Sequence, residues 1–345
     1  MAKNEKRIVA GPGSAMTRSF RTSRPPRWFA AVRPLLCSCD IVWLVDASCT
    51  SVILGEHQQS LLENCSSDSR RQFESMLCHI EIEILTACNL KCYNCDRSSR
   101  QAPTGEVLTV AQVERFVEES TELDWCWRRI ALLGGEPTLH PDLFAILDRL
   151  NRYRAKFPEV VFRIISNGYG EQVSATLERL PRWVSIQNTH KNSVVQSHFD
   201  AYNIAPQDLK EYRNADFSVG CTIPFASGMA LTRHGYYPCG AGASIDRVFG
   251  LGRAVSSLRQ VTIEGLTGEF SRLCRYCGHF HGLSASSELM SKSWAEAYSR
   301  WREKQPQLAL YPSGLVSVSV SGDKVHGPEY AGGRHIANCQ TSSSA

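Results

Sequence analysis

The 345-residue chain lacks any run of about 18 apolar residues, so the sequence predicts no membrane-spanning helix. Acidic residues are scarce at its start, where residues 1–36 contain eight Lys or Arg and one acidic residue. The net charge of that segment is +7. Because the net charge of the whole chain is +4, the charges of the other residues sum to −3. The basic charge is therefore local, and we expect neither a nucleic acid nor a membrane as a partner.

Residues 1–75 lack a periodic apolar pattern. Residues 1–36 are rich in Arg, Ser and Pro, which is typical of a disordered segment. A targeting peptide is the alternative, although the usual apolar core is missing. We expect residues 1–75 to be disordered or an over-extended start, with translation beginning at Met76, just before the first predicted strand.

Three of the 14 cysteines stand in the run Cys88-Asn-Leu-Lys-Cys92-Tyr-Asn-Cys95, directly after the alternating stretch Ile80–Leu85. A 4Fe-4S cluster normally takes four Cys thiolates, so three from one loop leave one iron open to a non-protein ligand. Two other interpretations stay open. The spacing also fits one face of a helix with buried cysteines, and Cys92 and Cys95 form a zinc-type pair, although residues 96–125 contain no Cys or His.

A second motif, Gly134-Gly135-Glu136-Pro137, follows the apolar run Ile130–Leu133. Glycines allow a backbone to approach a ligand closely, and a carboxylate complements an ammonium group. A Cys triplet after one strand and Gly-Gly-Glu-Pro after the next resemble the radical S-adenosylmethionine (SAM) superfamily. The resemblance implies that SAM chelates the open iron and that Gly134, Gly135 and Glu136 meet its amino group. It also implies a low-potential electron donor of the flavodoxin or ferredoxin type.

Other SAM contacts follow from the same resemblance. It places SAM against Ser166 and Asn167 after the third predicted strand and against Asn188 after the fourth. Turn formation and capping are the alternative roles of these polar residues. The family has an aromatic residue immediately before the third Cys, near the adenine. Here that position is Asn94, and the aromatic residue is Tyr93.

Strands and helices alternate along the first half of the chain. Thr109 and Gln112 form a capping-box pattern at the start of a predicted helix, and a second predicted helix opens at Pro141. This alternation predicts an α/β fold with a parallel sheet, and the resemblance implies a partial (β/α)6 radical SAM barrel over residues 76–216. The predicted strands cover 80–85, 129–133, 160–165 and 183–186, and the predicted helices cover 109–120, 141–150 and 173–180.

Four further cysteines lie in the C-terminal half. Between the first two, residues 229–239 predict a β-hairpin that turns at His234-Gly235. The arrangement resembles the Twitch domain, a short relative of the SPASM auxiliary-cluster module, over residues 217–285. That resemblance implies a second 4Fe-4S cluster, and a structural zinc ribbon is the alternative. The predicted ligands of the second cluster are Cys221, Cys239, Cys274 and Cys277.

These ligands predict a reaction class. With four protein ligands the second cluster would be closed to substrate, and electron transfer is then its expected role. The family forms a 5'-deoxyadenosyl radical that removes a hydrogen atom from a substrate, so a nearby electron acceptor favours net two-electron oxidation of a small molecule. A radical SAM enzyme that modifies a peptide is the first alternative, and a non-catalytic zinc protein is the second. No catalytic acid or base stands out.

Clustered cysteines in a chain of this size favour metal binding in a reducing compartment, so we expect a cytoplasmic oxidoreductase. Residues 286–345 predict a C-terminal helix followed by a mobile tail. Within that helix Trp294, Tyr298 and Trp301 share one face, which favours packing rather than substrate contact.

Overall fold

A computed structural model describes residues 54–304 of the chain, except 103, 196–200, 253 and 281–289. Within these residues strands and helices alternate as the sequence predicts. The first strands and helices are α1 (Glu56–Ser60), α2 (Ser67–Cys78), β1 (His79–Leu85), α3 (Val110–Glu122), β2 (Arg129–Gly134), α4 (Leu143–Lys156), β3 (Val161–Ser166), α5 (Glu171–Glu178) and β4 (Val184–Asn188). They are followed by α6 (Ile223–Ser227), β5 (Met229–Thr232), β6 (Gly235–Tyr237), α7 (Gly240–Phe249), α8 (Ile263–Gly268), α9 (Phe270–Leu273) and α10 (Lys292–Lys304).

The six described strands form one sheet in the order β4-β3-β2-β1-β5-β6. Strands β1 to β5 pair in parallel, and β6 returns antiparallel to β5. The parallel α/β sheet is therefore confirmed. Its closure into a partial barrel stays a prediction.

For most of the predicted helices and strands, the bounds predicted from local sequence signals lie within two residues of the observed ones. Thr109 accepts a hydrogen bond from the backbone N–H of Gln112, and the Gln112 side chain accepts one from the backbone N–H of Thr109. This capping box satisfies two backbone donors that a helix start leaves unpaired, which explains why α3 begins at Val110.

The two faces of the sheet differ in chemistry. Ile80, Ile82 and Ile84 of β1 point to one face and are fully buried in the main hydrophobic core. The inward sides of α3 and α4 cover that face, with Phe116 and Ile146 in the same core. On the other face β1 presents charged residues, because side chains alternate along a strand. This polar face holds Glu81 and Glu83, with Arg163 in register on β3.

The expectation that residues 1–75 are disordered is wrong for residues 54–75. Helix α2 begins after Ser66, whose hydroxyl accepts a hydrogen bond from the backbone N–H of Ser69. Leu62 and Phe73 are buried in the main core, and Met76, the expected start, is itself fully buried inside α2. The pattern is hard to recognise because only a few large apolar residues in this stretch face the core. Residues 1–53 lie outside the described part of the chain.

The predicted hairpin is present, but it belongs to the main sheet. Strands β5 and β6 pair antiparallel and connect through Arg233 and His234, one residue earlier than predicted. Because β5 also pairs with β1, the hairpin extends the sheet rather than forming a separate layer.

At the C-terminal end, α10 buries Trp294 and Tyr298, which agrees with the packing role that the sequence predicts. The predicted mobile tail falls on residues outside the described part. Among the described residues no helix is both long enough and apolar enough to cross a bilayer.

His79, at the start of β1, makes the stability of the fold depend on pH. Burial, followed by the positive charges of Arg129 and Arg128, lowers the pKa of His79 from 6.5 to about 3. Below pH 6.5 the unfolded chain therefore binds a proton at this residue that the folded chain does not. The free energy of unfolding falls as the pH drops, by up to about 1.4 kcal/mol per pH unit from this residue.

We expect His79→Gln to flatten this dependence between about pH 6.5 and 5. Urea denaturation at a series of pH values measures the slope. His190→Asn, at an exposed position, is the matched control and should keep the wild-type slope. Equal slopes in the His79 variant and the wild type would contradict the prediction.

Candidate functional site

The carboxyl ends of the parallel strands bring the predicted motifs to one edge of the sheet. Leu85 at the end of β1 is in register with Gly134 at the end of β2, and Ser166 is in register with Asn188 on β4. The Cys loop therefore begins beside the Gly-Gly-Glu segment. The loops after β3 and β4 start from the same edge, where ligands of open α/β sheets bind.

Two glycines allow the Cys loop to lie directly against the end of β2. Gly134 has a φ of +150°, and a Cβ there would lie 2.2 Å from the carbonyl oxygen of Leu85. A Cβ on Gly135 would lie 2.0 Å from the carbonyl oxygen of Ala87. Both contacts are with backbone, which cannot move aside as a flexible side chain can. A residue with a side chain is therefore excluded at either position.

Cys88, Cys92 and Cys95 are half-buried on the loop after β1. Burial, with a smaller contribution from the nearby Cys95, raises the pKa of the Cys88 thiol to about 12. Burial, then the charge of Asp96, raises the pKa of Cys95. Cys88 and Cys95 are therefore close enough for their charges to interact. Such thiols stay protonated until a metal displaces the proton.

Glu136 is fixed by hydrogen bonds within the chain. Its side chain is fully buried, and one oxygen accepts hydrogen bonds from the Thr138 backbone N–H, the Thr138 hydroxyl and the Ser166 hydroxyl. The other oxygen accepts from the backbone N–H of Asn167 at 2.7 Å. Four donors of the chain thus hold this carboxylate in place, and a contact of Glu136 with SAM stays a prediction. The carboxylate joins the end of β2 to the end of β3.

Asn167 connects the end of β3 to the Cys loop. Its Nδ2 donates to Oδ1 of Asn89 at 2.8 Å and lies 3.9 Å from the Cys88 sulfur. Asn89 in turn donates to the carbonyl of Tyr169 at 2.7 Å. Asn89 cannot be recognised from the sequence, since an Asn between two cysteines carries no signal of its own. A direct contact of Asn167 with SAM stays a prediction.

Ser166 and Asn188 reach the same edge but have partners within the chain. The Ser166 hydroxyl bonds to Glu136 and accepts from the backbone N–H of Gly168. Asn188 accepts from the backbone N–H of His190 and packs against Gly168, where a Cβ would lie 2.1 Å from its Oδ1. These contacts are those of turn formation and capping. A role of either side chain in SAM binding stays a prediction.

Asn94, the residue that departs from the family pattern, has a structural explanation. Its φ of +45° lies in the left-handed region, which Asn tolerates better than aromatic residues do. The side chain is 2% exposed, and its Oδ1 accepts a hydrogen bond from the backbone N–H of Asn203 at 2.9 Å. Asn94 therefore ties the Cys loop to residues 201–209.

We expect Asn94→Phe, which restores the family's aromatic type, to lower the free energy of unfolding by about 2 kcal/mol. The substitution loses the bond to Asn203 and places a bulky side chain at positive φ. Asn94→Gly, which suits the backbone but also loses the bond, should cost less. Urea denaturation of both variants measures the difference, and a Phe variant as stable as the wild type would contradict this explanation.

The structure also brings the four C-terminal cysteines together. Cys274 and Cys277 are buried, and Cys221 and Cys239 are half-buried. Burial raises the pKa of Cys221 to about 11 and that of Cys239 to about 12, and it raises the pKa values of Cys274 and Cys277. The charge of each of these thiols interacts with those of the other three. The sequence prediction that these four residues form one group is thus consistent with their positions.

Arg97 lies between the two cysteine sets. It follows Cys95 by two residues, and its Nη2 donates to Oε2 of Glu81 at 2.7 Å. A Cβ on Gly240, next to Cys239, would lie 1.9 Å from Arg97 Nη1 and 2.5 Å from that Glu81 oxygen. The ion pair is therefore packed against the backbone that bears Cys239.

Within the described residues, no three His, Cys, Asp or Glu side chains are placed so that one metal ion could bind them. A 4Fe-4S cluster binds each thiolate through a different iron, so its ligands are spread further apart than those of one zinc ion. Three thiols on one loop suit a 4Fe-4S cluster with one open iron, and a second cluster on the four C-terminal thiols stays a prediction.

Comparisons with known proteins agree with this chemistry for part of the chain. Residues 82–187 match the family model of the radical SAM superfamily. The probable GTP 3',8-cyclase of Thermococcus kodakarensis is 29% identical over 82 residues, which are 24% of this chain and 26% of that protein. The probable GTP 3',8-cyclase of Thermoplasma volcanium is 34% identical over 74 residues, 21% of this chain and 22% of that protein. The chain thus spans about a quarter of the length of the curated relatives it matches.

Among solved structures, BtrN in complex with AdoMet and 2-DOIA aligns with 59% of this chain and 88% of its own, at 16% identity and a TM-score of 0.35. Streptococcus suis SuiB bound to S-adenosylmethionine aligns with 32% of this chain and 23% of its own, at 18% identity and a TM-score of 0.24. The family match begins within β1 and ends within β4, so it includes the Cys loop and the Gly-Gly-Glu segment. Residues 82–187 of this chain are therefore a radical SAM domain.

Proposed function

We propose that this chain is a radical SAM oxidoreductase with two 4Fe-4S clusters that catalyses a net two-electron oxidation of a small molecule. The first cluster would be held by Cys88, Cys92 and Cys95. The observation that carries the oxidative part is the group of four thiols next to the radical SAM domain. The other ligands would be Cys221, Cys239, Cys274 and Cys277.

The radical SAM family implies a 4Fe-4S cluster that binds SAM and supplies a 5'-deoxyadenosyl radical for hydrogen abstraction. The protein contributes a rigid frame for that chemistry. Gly134 and Gly135 bring the end of β2 against the Cys loop. Glu136 and Asn167 fix the next loop to the same point. Removing a hydrogen atom leaves a substrate with one electron more than its oxidised product needs.

The second group of thiols supports an acceptor for that electron. All four ligands would come from protein, so substrate has no open iron there and electron transfer is the expected role. The Glu81–Arg97 ion pair joins the two sites through a buried path of fixed contacts. Burial and nearby charge tune the reduction potential of a cluster. Arg97 is placed to do so for the second one.

The substrate is a separate question, because the curated relatives match only about a quarter of this chain. The GTP 3',8-cyclase activity for which those relatives are named is therefore no guide to the substrate of this chain. A peptide-modifying enzyme with the same two clusters is the alternative, and residues 1–53, where a leader-binding segment would have to be sought, lie outside the described part.

Anaerobic reconstitution with iron, sulfide, SAM and a strong reductant tests the proposal. The full-length chain should bind about eight irons and form 5'-deoxyadenosine. Replacing Cys88, Cys92 and Cys95 by Ala should leave about four irons and abolish 5'-deoxyadenosine. Product that survives this substitution would refute the radical SAM assignment, and zinc in place of iron would favour the non-catalytic alternative.

A separate experiment tests the second cluster, on which the proposed oxidation depends. Cys274→Ala combined with Cys277→Ala should lower the iron content from about eight to about four while 5'-deoxyadenosine still forms. Cys126→Ala is the matched control, since this half-buried thiol belongs to neither set. If the double variant kept all its iron, the second cluster would have to be abandoned.

A further inference from the structure

The polar face of the sheet continues from β1 across β2, β3 and β4. Side chains of residues that are in register in neighbouring parallel strands point to the same side of a sheet. Ala131 of β2 is in register with Glu81 on one side and with Arg163 of β3 on the other. Arg163 is in turn in register with Ser185 of β4. Arg163 therefore lies in the middle of this face.

Two polar side chains flank Arg163 on the diagonals of the sheet, which long side chains can span. Gln187 of β4 lies on one diagonal, and its Oε1 accepts a hydrogen bond from Nη1 of Arg163 at 3.2 Å. Arg129 of β2 lies on the other. Burial, then the positive charge of Arg163, lowers the pKa of Arg129, and the charge of Glu81 raises it. The two guanidinium groups are therefore close enough for their charges to interact.

These two positive charges have no matching negative charge beside them. In the part of the chain that the structure describes, no carboxylate forms an ion pair with Arg129 or Arg163. The carboxylate of Glu81 acts on Arg129, but Arg97 already binds it at 2.7 Å. Nη2 of Arg129 donates to the uncharged carbonyl of Ala226 at 2.7 Å. Because charged groups that leave water are normally paired, the two arginines indicate an anionic partner.

A small molecule can reach this part of the face. Strand β4 lies at the edge of the sheet. Val161, on the same face of β3 as Arg163, is 46% exposed, and Ser185 is exposed as well. Arg163 itself is half-buried, and helices α3 and α4 cover the opposite face. The guanidinium groups are therefore held by the sheet and remain accessible from outside.

A phosphate group matches this arrangement best. Arginine binds phosphate through two parallel hydrogen bonds, and a phosphate dianion balances two guanidinium charges, whereas a carboxylate balances one. We propose that this face binds the phosphate group of a small molecule through Arg163 and Arg129, with Gln187 orienting Arg163. Arg163 precedes Ser166, at the edge that carries the proposed SAM site, by three residues, or about 10 Å along β3. That the phosphate belongs to the substrate rests on the proposed function, whereas the binding site itself does not.

Modification of arginines by phenylglyoxal tests the site without turnover. The full-length, anaerobically reconstituted protein is treated at about pH 8, and the modification of each arginine is quantified by mass spectrometry. The probe is inorganic phosphate, which is mostly a dianion at this pH. Potassium chloride and potassium acetate at equal ionic strength are the controls for charge screening and for a carboxylate. Arg300, at an exposed position on α10, reports the reactivity of the reagent.

We expect phosphate to slow the modification of Arg163 at least about threefold relative to Arg300, and chloride and acetate to leave that ratio unchanged. Arg129→Gln should remove the protection, and the matched control Arg300→Gln should keep it. No protection by phosphate, equal protection by acetate, protection that survives Arg129→Gln, or no modification of Arg163 at all would overturn the proposal. Failure here leaves 5'-deoxyadenosine formation untouched. A chain that forms no 5'-deoxyadenosine but protects Arg163 would instead refute the proposed function alone.

Discussion

Replacing Glu136 by Ala should lower the free energy of unfolding by at least about 3 kcal/mol, because four buried donors lose one shared acceptor. Those donors are the backbone N–H and hydroxyl of Thr138, the hydroxyl of Ser166 and the backbone N–H of Asn167. The two hydroxyls can turn toward other acceptors. The two backbone N–H groups cannot, so they stay buried without a partner.

Glu136→Gln distinguishes the contribution of the side chain's volume to stability from that of its hydrogen bonds. An amide keeps the volume of the side chain but presents a donor on one of its two sides. In either orientation it faces a backbone N–H, of Asn167 or of Thr138, with another donor. We expect a loss of about 1–3 kcal/mol, smaller than that of the Ala variant.

Urea denaturation of the two variants measures these losses. Glu178→Ala, at an exposed position on α5, is the matched control and should change the free energy of unfolding by less than about 0.5 kcal/mol. A Glu136→Ala protein within about 1 kcal/mol of the wild type would mean that the four donors find other partners. The positioning role of Glu136 would then be wrong.

The part of the fold that the sequence predicts well is the part governed by local rules. Alternation of apolar residues locates β1, and the Thr109–Gln112 box locates the start of α3. Helix α2 was not predicted from the sequence, because its apolar residues pack into a core that distant strands form. The hairpin is predicted as a hairpin, but its pairing with β1 is a long-range contact that no local pattern announces.

The same limit applies to the candidate site. Residue types and spacing identify the seven cysteines and the two glycines, because ligand chemistry and close backbone approach demand these residues. They do not reveal that donors of the chain occupy Glu136. Nor do they distinguish Glu81 from Glu83, which look equivalent in the alternating run Ile80–Leu85. Arg97 comes from a later loop, so the difference exists only in the folded chain.

The polar face of the sheet contains two buried carboxyl groups on the same strand. A strand that is buried on both sides normally has apolar residues throughout, whereas β1 buries Glu81 and Glu83. Burying two carboxyl groups costs stability. Glu81 recovers part of that cost through its ion pair with Arg97, which fastens the Cys loop, whereas one oxygen of Glu83 has no hydrogen-bond partner.

Gly135→Ala should cause one of the largest losses of stability, through a steric clash at a single position. A Cβ at this position would lie 2.0 Å from the carbonyl oxygen of Ala87 and 2.7 Å from that of Thr86. The backbone before Cys88 would have to move, although the hydrogen bonds from Gly135 and Glu136 to Leu85 and Ala87 hold it in place. We expect the free energy of unfolding to fall by roughly 3 kcal/mol.

Iron content adds a second measurement, which depends on the proposed clusters. Displacing the Cys loop should remove the first cluster and leave about four irons of about eight, since the other four thiols lie on residues that Gly135 does not touch. Gly268→Ala is the matched control, because a Cβ there has no neighbour within 4 Å. It should be neutral or slightly stabilising. A Gly135→Ala protein with full iron content and wild-type stability would show that the backbone relaxes at no cost, and close approach would no longer explain the two glycines.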